Sequence, residues 1–133
     1  MKRLVCSIIL MMSFFSLFAA EPQADIKFDK TTHSFGSFPE SKPLVSCVFK
    51  FKNVGNAPLV INQAIASCGC TVPTYTEKPI APGDSGVVKV TYNGKGRYPG
   101  RFKKVVTVMT NAKTRLVRLY IDGNMTEESK KKD

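Results

Sequence analysis

The sequence predicts an all-β protein, an immunoglobulin-like antiparallel β-sandwich of about seven strands, and three observations carry that prediction. Apolar residues alternate with polar ones over several short runs, Gly, Pro and Asn clusters punctuate those runs, and helical periodicity is hard to find. Strands of five to ten residues joined by turns, with no intervening helix, argue for two packed antiparallel sheets.

The N-terminus "MKRLVCSIILMMSFFSLFAA" precedes that pattern and differs from it. Lys2 and Arg3 are followed by an uncharged run from Leu4 to Phe18 and then by Ala19 and Ala20, which is the layout of a secretory signal peptide over residues 1–20. The run falls short of the roughly 20 residues of a bilayer-spanning helix, and polar sequence from Glu21 follows it, so no transmembrane segment is expected after cleavage. The expected product is exported, periplasmic or secreted, with one domain over residues 21–125 and a disordered charged tail, "TEESKKKD", over 126–133.

The first strand is expected near Ile26 and the last to end near Asn124. In "LVSCVFKFK" the residues Val45, Cys47, Phe49 and Phe51 share one face, and Ser46, Lys50 and Lys52 lie mostly on the other. "APLVINQAIA" is rich in β-branched residues but alternates less cleanly, and so does "RFKKVVTVMT"; both read as central or bulged strands. "VVKVTY" sets Val88, Val90 and Tyr92 against Lys89 and Thr91, and "RLVRLYID" sets Val117, Leu119 and Ile121 against Arg118 and Tyr120. Between them fall "NVGNAP", "SCGCTVP", "IAPGDSG", "NGKGRYPG" and "TNAKT", each read as a turn.

The order "FGSF", "FKFKNVGNAPLVI", "SCGCTVP", "IAPGDSGVVKVTY", "YPGRFKKVVTVMTN" and "LYIDGN" resembles the secreted bacterial Domain of Unknown Function 1573 family, from about Phe28 to Asn124. The most specific element of the likeness is "CGCT" after a strand that follows Asn-x-Gly-x-x-Pro-Leu. The resemblance implies a sandwich similar to domains of Hydin-type proteins and of major sperm protein, and it implies no reaction.

With Cys6 in the leader, Cys47, Cys68 and Cys70 remain, an odd number in a compartment that is often oxidising. Cys68 and Cys70 would sit about 6.6 Å apart on an extended strand, too far to bridge, so a disulfide between them needs a tight turn at Gly69. Three readings stay open: structural thiols or a small disulfide pinning the loop, a thiol-redox pair, and a copper site. Redox exchange wants a lowered thiol pKa, yet no Lys, Arg or His falls between Gln63 and Glu77. Two thiolates suit Cu(I), with His33 as a further ligand, whereas a closed zinc site would also require Cys47. A disulfide between Cys47 and one member of the pair stays open as a fourth reading, but it would have to cross facing sheets about 10 Å apart. Cys47, on an inward strand position, therefore reads first as a buried free thiol.

Enzymatic readings find little support. His33 is the single histidine, the acidic residues are scattered apart from Glu127 and Glu128, and "NGKGRYPG" lacks the ending of a phosphate loop. It reads instead as a hairpin connection shaped by Tyr98 and Pro99. No catalytic residue is assigned, no cofactor is expected beyond the copper alternative, and the chain reads as a non-enzymatic interaction or structural module.

Charge offers the remaining signal. Of 20 Lys and Arg, two fall in the leader, and the remaining 18 against 10 acidic residues leave a net charge of +8. Nine basic residues and no acidic one lie between Lys89 and Ile121. Lys95, Arg97, Arg101, Lys103, Lys104, Arg115 and Arg118 are therefore candidates for a surface that faces a polyanion. The expected partner is another cell-envelope protein or an anionic glycan or lipid surface; nucleic acid is disfavoured because the aromatics among these cations are needed for the core or turns.

Overall fold

The computed structural model describes residues 21–128. The expected signal peptide and the end of the tail from residue 129 lie outside the described residues. Eight strands follow one another without a helix among the described residues: β1 (Ile26–Phe28), β2 (Thr32–Pro39), β3 (Leu44–Asn53), β4 (Ile61–Ala66), β5 (Thr71–Tyr75), β6 (Ser85–Asn93), β7 (Gly100–Thr110) and β8 (Leu116–Thr126). They form two four-stranded sheets, one in the order β1-β3-β6-β5 and the other in the order β2-β8-β7-β4. Among the described residues no helix is long and apolar enough to cross a membrane.

The sandwich forms because inward positions from both sheets are apolar at a spacing of two. In β3 the buried residues are Cys47, Phe49 and Phe51, and in β6, paired with it from Leu44↔Asn93 to Lys52↔Ser85, they are Val88, Val90 and Tyr92. The facing sheet contributes Val106 and Val108 from β7 and Leu119, Ile121 and Met125 from β8. Each such side chain contributes about 1.5–3 kcal/mol relative to exposure, which makes this two-layer contact the dominant favourable contribution. At one end of the interior, Tyr92 from the first sheet stacks on Phe102 from the second, with ring centroids 3.9 Å apart.

Several details differ from the expectation. There are eight strands, because the N-terminal segment splits: β1 pairs with β3, and β2 crosses to the other sheet. There β2 runs parallel to β8, so the second sheet is mixed. Its alternation is concealed by a register shift between Ser34 and Ser37, where Gly36 takes φ +65°. The remaining strand, β5, begins inside the "SCGCTVP" run that reads as a turn and extends past it to Tyr75; its Pro73 is tolerated because β5 is an edge strand. The two irregular runs resolve differently. β7 is central, and β4 is an edge strand with a bulge between Ile61 and Gln63. β8 extends to Thr126, and the backbone N–H of Glu128 donates to Glu40 Oε1 at 3.2 Å, so described contacts continue past the expected domain end at residue 125.

Candidate functional site

The Cys-Gly-Cys turn is where the chain leaves the edge of one sheet for the edge of the other. β4 ends at Ala66 in the second sheet, and β5 begins at Thr71 in the first. The entry is held by the Ser67 N–H on the Val105 carbonyl at 2.9 Å and by the Val105 N–H on Ser67 Oγ at 3.2 Å. The exit is held by the Asn93 N–H on the Cys70 carbonyl at 2.8 Å, and within the turn the Thr71 N–H donates to the Cys68 carbonyl at 3.1 Å. This bend brings the Cα atoms of Cys68 and Cys70 to 5.2 Å, and their sulfurs are bonded as a disulfide. Gly69 is not among the positive-φ glycines, and an added Cβ there would meet nothing within 4 Å. The turn therefore does not use the special backbone freedom expected of Gly69.

The two sulfurs differ in environment. Cys70 is buried and packs on the core, whereas Cys68 is half-buried at the rim. Cys68 Sγ accepts two donors, the Cys70 N–H at 3.2 Å and Arg97 Nη2 at 3.1 Å. Arg97 comes from the β6–β7 connection, which is tied down by the Arg97 N–H on the Gly94 carbonyl at 3.0 Å and the Gly94 N–H on the Pro43 carbonyl at 2.9 Å. No cation lies near the thiols along the local chain; the one that reaches Cys68 lies 29 residues away. Pairing of β5 with β6 sets the β6–β7 loop beside the turn, and only that pairing could have shown it.

Cys47 stands apart from this pair as a buried free thiol. Burial pushes its pKa up from 9.0 to about 11, partly opposed by the charge of Lys30. His33 lies on β2, edge-on to Phe35 with centroids 4.9 Å apart. β2 and β4 are opposite edges of one four-stranded sheet, three strand spacings or about 14 Å apart. The histidine expected to join Cys68 and Cys70 around copper is thus separated from them by two intervening strands. Among the described residues no group of three or more His, Cys, Asp or Glu gathers as a metal site.

The seven candidate cations do not form one cluster. Lys95 and Arg97 occupy the β6–β7 connection. Arg101, Lys103 and Arg118 are exposed on the outer face of the second sheet, while Lys104 has the opposite strand parity and is half-buried. Arg115 sits in the β7–β8 connection, beyond the far end of the 11-residue β7, so about 30 Å separates it from the loop that carries Arg97. Lys103 is directly across from Asp122 and lies over the Tyr120 ring at 5.1 Å. Arg101 and Asp122 also line a groove of about 460 Å³ beside the β2 irregularity, with Ser34, Ser37 and Asn124. Tyr98, expected to shape its loop, is 96% exposed.

Comparison with known proteins places this geometry in a wider set. No curated protein matches the chain. Among solved structures, a protein of unknown function from Porphyromonas gingivalis W83 superposes with TM-score 0.68 at 14% identity, over 84% of this chain and 51% of that one. This chain therefore spans about half the length of that protein. The ASH/PapD-like domain 7 of human CEP192 superposes with TM-score 0.59 at 10% identity, covering 87% of this chain and 95% of that one. The periplasmic chaperone SfaE superposes with TM-score 0.57 at 11% identity, covering 80% and 61%. At such identities these likenesses establish a shared sandwich fold. The model of one family matches residues 26–125, which spans the sandwich from β1 to the penultimate residue of β8, and the chain belongs to that family, Protein of unknown function (DUF1573).

Proposed function

We propose that this protein is an exported, non-catalytic interaction module that docks another cell-envelope protein along the open edge of β4. Four strands have an open edge, and three of them are blunted. β1 has three residues, β2 is irregular at Gly36, and β5 carries Pro73. The antiparallel ladder of β5 with β6 points the imino position of Pro73 outward, so β5 lacks a donor on its free side.

β4 carries the proposal. Beyond its bulge the stretch Gln63–Ala66 is regular, and its pairing with β7 turns the backbone N–H and C=O groups of Ala64 and Ala66 away from that neighbour. No charged residue lies between Lys52 and Glu77 to repel an added strand, and Ile65 is 44% exposed on the adjoining face. An extended segment can add there through main-chain hydrogen bonds, with pockets for alternate side chains giving selectivity. The likeness to a periplasmic chaperone and to a PapD-like domain supports a protein partner over a glycan or lipid.

A photo-reactive side chain at Ile65, introduced in the cell that makes the protein, is expected to form a covalent adduct with a discrete envelope protein. The same group at Val48, exposed on the outer face of the other sheet, serves as the reference position. Ala64→Pro should abolish the Ile65 adduct without unfolding the domain, because the N–H it removes faces away from β7. Equal adducts from Ile65 and Val48, or an adduct that survives Ala64→Pro, would reject the β4 edge.

A further inference from the structure

We infer that the Cys68–Cys70 pair is a thiol–disulfide exchange site which passes its disulfide to a partner dithiol, with Arg97 holding the Cys68 thiolate that results. This goes beyond docking and stands without it. It rests on two observations that the local sequence does not contain: Arg97 Nη2 lies 3.1 Å from Cys68 Sγ, and the two sulfurs are unequal in access.

The asymmetry assigns the roles. Cys70 is 8% exposed, so an incoming thiolate reaches the half-buried Cys68 first. Attack on Cys68 Sγ forms a mixed disulfide and breaks the Cys68–Cys70 bond. Cys70 leaves as a thiolate beside Thr71 Oγ1, 3.7 Å away, and takes up the proton lost by the attacking thiol. The partner's second thiolate then attacks the partner's own sulfur in the mixed disulfide. The bond to Cys68 breaks, and Cys68 leaves as a thiolate that accepts from Arg97 and from the Cys70 N–H, while the second proton passes to water. Two electrons have moved from the partner dithiol to the pair, and the partner has gained a disulfide. A donor that stabilises the reduced form shifts this equilibrium toward oxidation of the partner.

The surroundings suit a macromolecular dithiol. The β6–β7 loop that carries Arg97 also presents Tyr98, 96% exposed, and the open edge of β4 ends immediately before the turn. Cys47 cannot substitute for either thiol. It is buried in β3, on the strand beyond β6 from β5, and its thiol is held in the protonated form by burial.

The test uses the purified protein and a fluorescent peptide bearing two cysteines. Mixed with the oxidised protein, the reduced peptide is expected to gain a disulfide while the protein gains two thiols, located at Cys68 and Cys70 by mass mapping. In the reduced protein, iodoacetamide should modify Cys68 before Cys70 at pH 7. Arg97→Gln is expected to lower both the Cys68 alkylation rate and the peptide-oxidation equilibrium constant about tenfold, with Arg97→Lys recovering part of each. Circular dichroism checks that the reduced protein and each variant remain folded. The inference is overturned if reduction unfolds the domain, if Cys70 reacts first, or if Arg97→Gln leaves both quantities unchanged.

Discussion

Asn53 donates from Nδ2 to the Ile80 carbonyl at 2.9 Å, which fastens the last residue of β3 to the segment entering β6. The same amide donates to the Ala57 carbonyl at 2.8 Å and accepts from the Gly55 N–H at 3.0 Å, and the side chain is wholly buried. One residue thus satisfies a loop that would otherwise bury unpaired backbone groups. Asn53→Ala is expected to cost about 2–3 kcal/mol, because each orphaned buried group carries a desolvation penalty. Asn53→Asp should also destabilise, since it removes both donors and leaves a buried charge. The urea midpoint of each variant checks this, and a midpoint unchanged from the parent would show that the loop holds itself.

Two glycines make a paired prediction. A Cβ on Gly55 would collide with backbone atoms of Gln23, Ala24 and Asp25, where the N-terminal segment crosses the β3–β4 connection. Those atoms belong to the main chain and cannot rotate aside. Gly55→Ala is expected to cost at least about 2–3 kcal/mol, comparable to severe core overpacking. Gly69→Ala, inside the Cys-Gly-Cys turn, meets nothing within 4 Å and should change the thermal midpoint by no more than a degree or two. If the ranking inverts, the turn depends on a glycine conformation that the structure does not show.

The sequence was most legible where one face of a strand is buried and regular. β3 and β6 read correctly because Phe49, Phe51, Val88 and Val90 alternate without interruption. β2 and β5 did not, for separate physical reasons: Gly36 breaks the period of β2, and Pro73 looks like punctuation although an edge strand tolerates it. At the candidate site the pairing of Cys68 with Cys70 was within reach of local geometry. The Arg97 contact was not, because it arises from cross-strand register, and the run of cations from Lys89 to Arg118 groups Arg97 with a polyanion-facing surface instead. The proposed histidine ligand failed for the converse reason: His33 carries the right chemistry, but its strand occupies the far edge.

Burial of Cys47 gives stability a defined alkaline dependence. Its folded pKa is raised from 9.0 to about 11 by desolvation, so between those values the unfolded chain has released the thiol proton and the folded chain retains it. The folded state then binds more protons, and stability falls as pH rises through that window. Below pH 9 the full contribution is present. Cys47→Ala should therefore flatten the decline measured by urea unfolding at pH 8, 9, 10 and 11, although it lowers stability at neutral pH by leaving a small cavity. Equal slopes for parent and variant would mean that the thiol titrates alike in both states.

The distribution of cations predicts an uneven response to charge reversal. Lys103 already faces Asp122 across the β7–β8 ladder, and Lys104 has the opposite parity, so neither projects its charge freely from the outer face. Arg101 and Arg118 are exposed there opposite the uncharged Asn124 and Thr107. On a heparin column, Arg101→Glu with Arg118→Glu should lower the eluting salt concentration more than Lys103→Glu with Lys104→Glu, although both pairs change the net charge equally. Retention by net charge alone would treat the two variants identically, because each is shifted by the same amount, whereas screening beyond about 8–10 Å makes retention depend on the local arrangement of cations. A larger loss for the Arg pair would instead locate any polyanion contact on the outer face of the β2-β8-β7-β4 sheet. No difference would leave that face a solvated surface and strengthen the case for docking along β4.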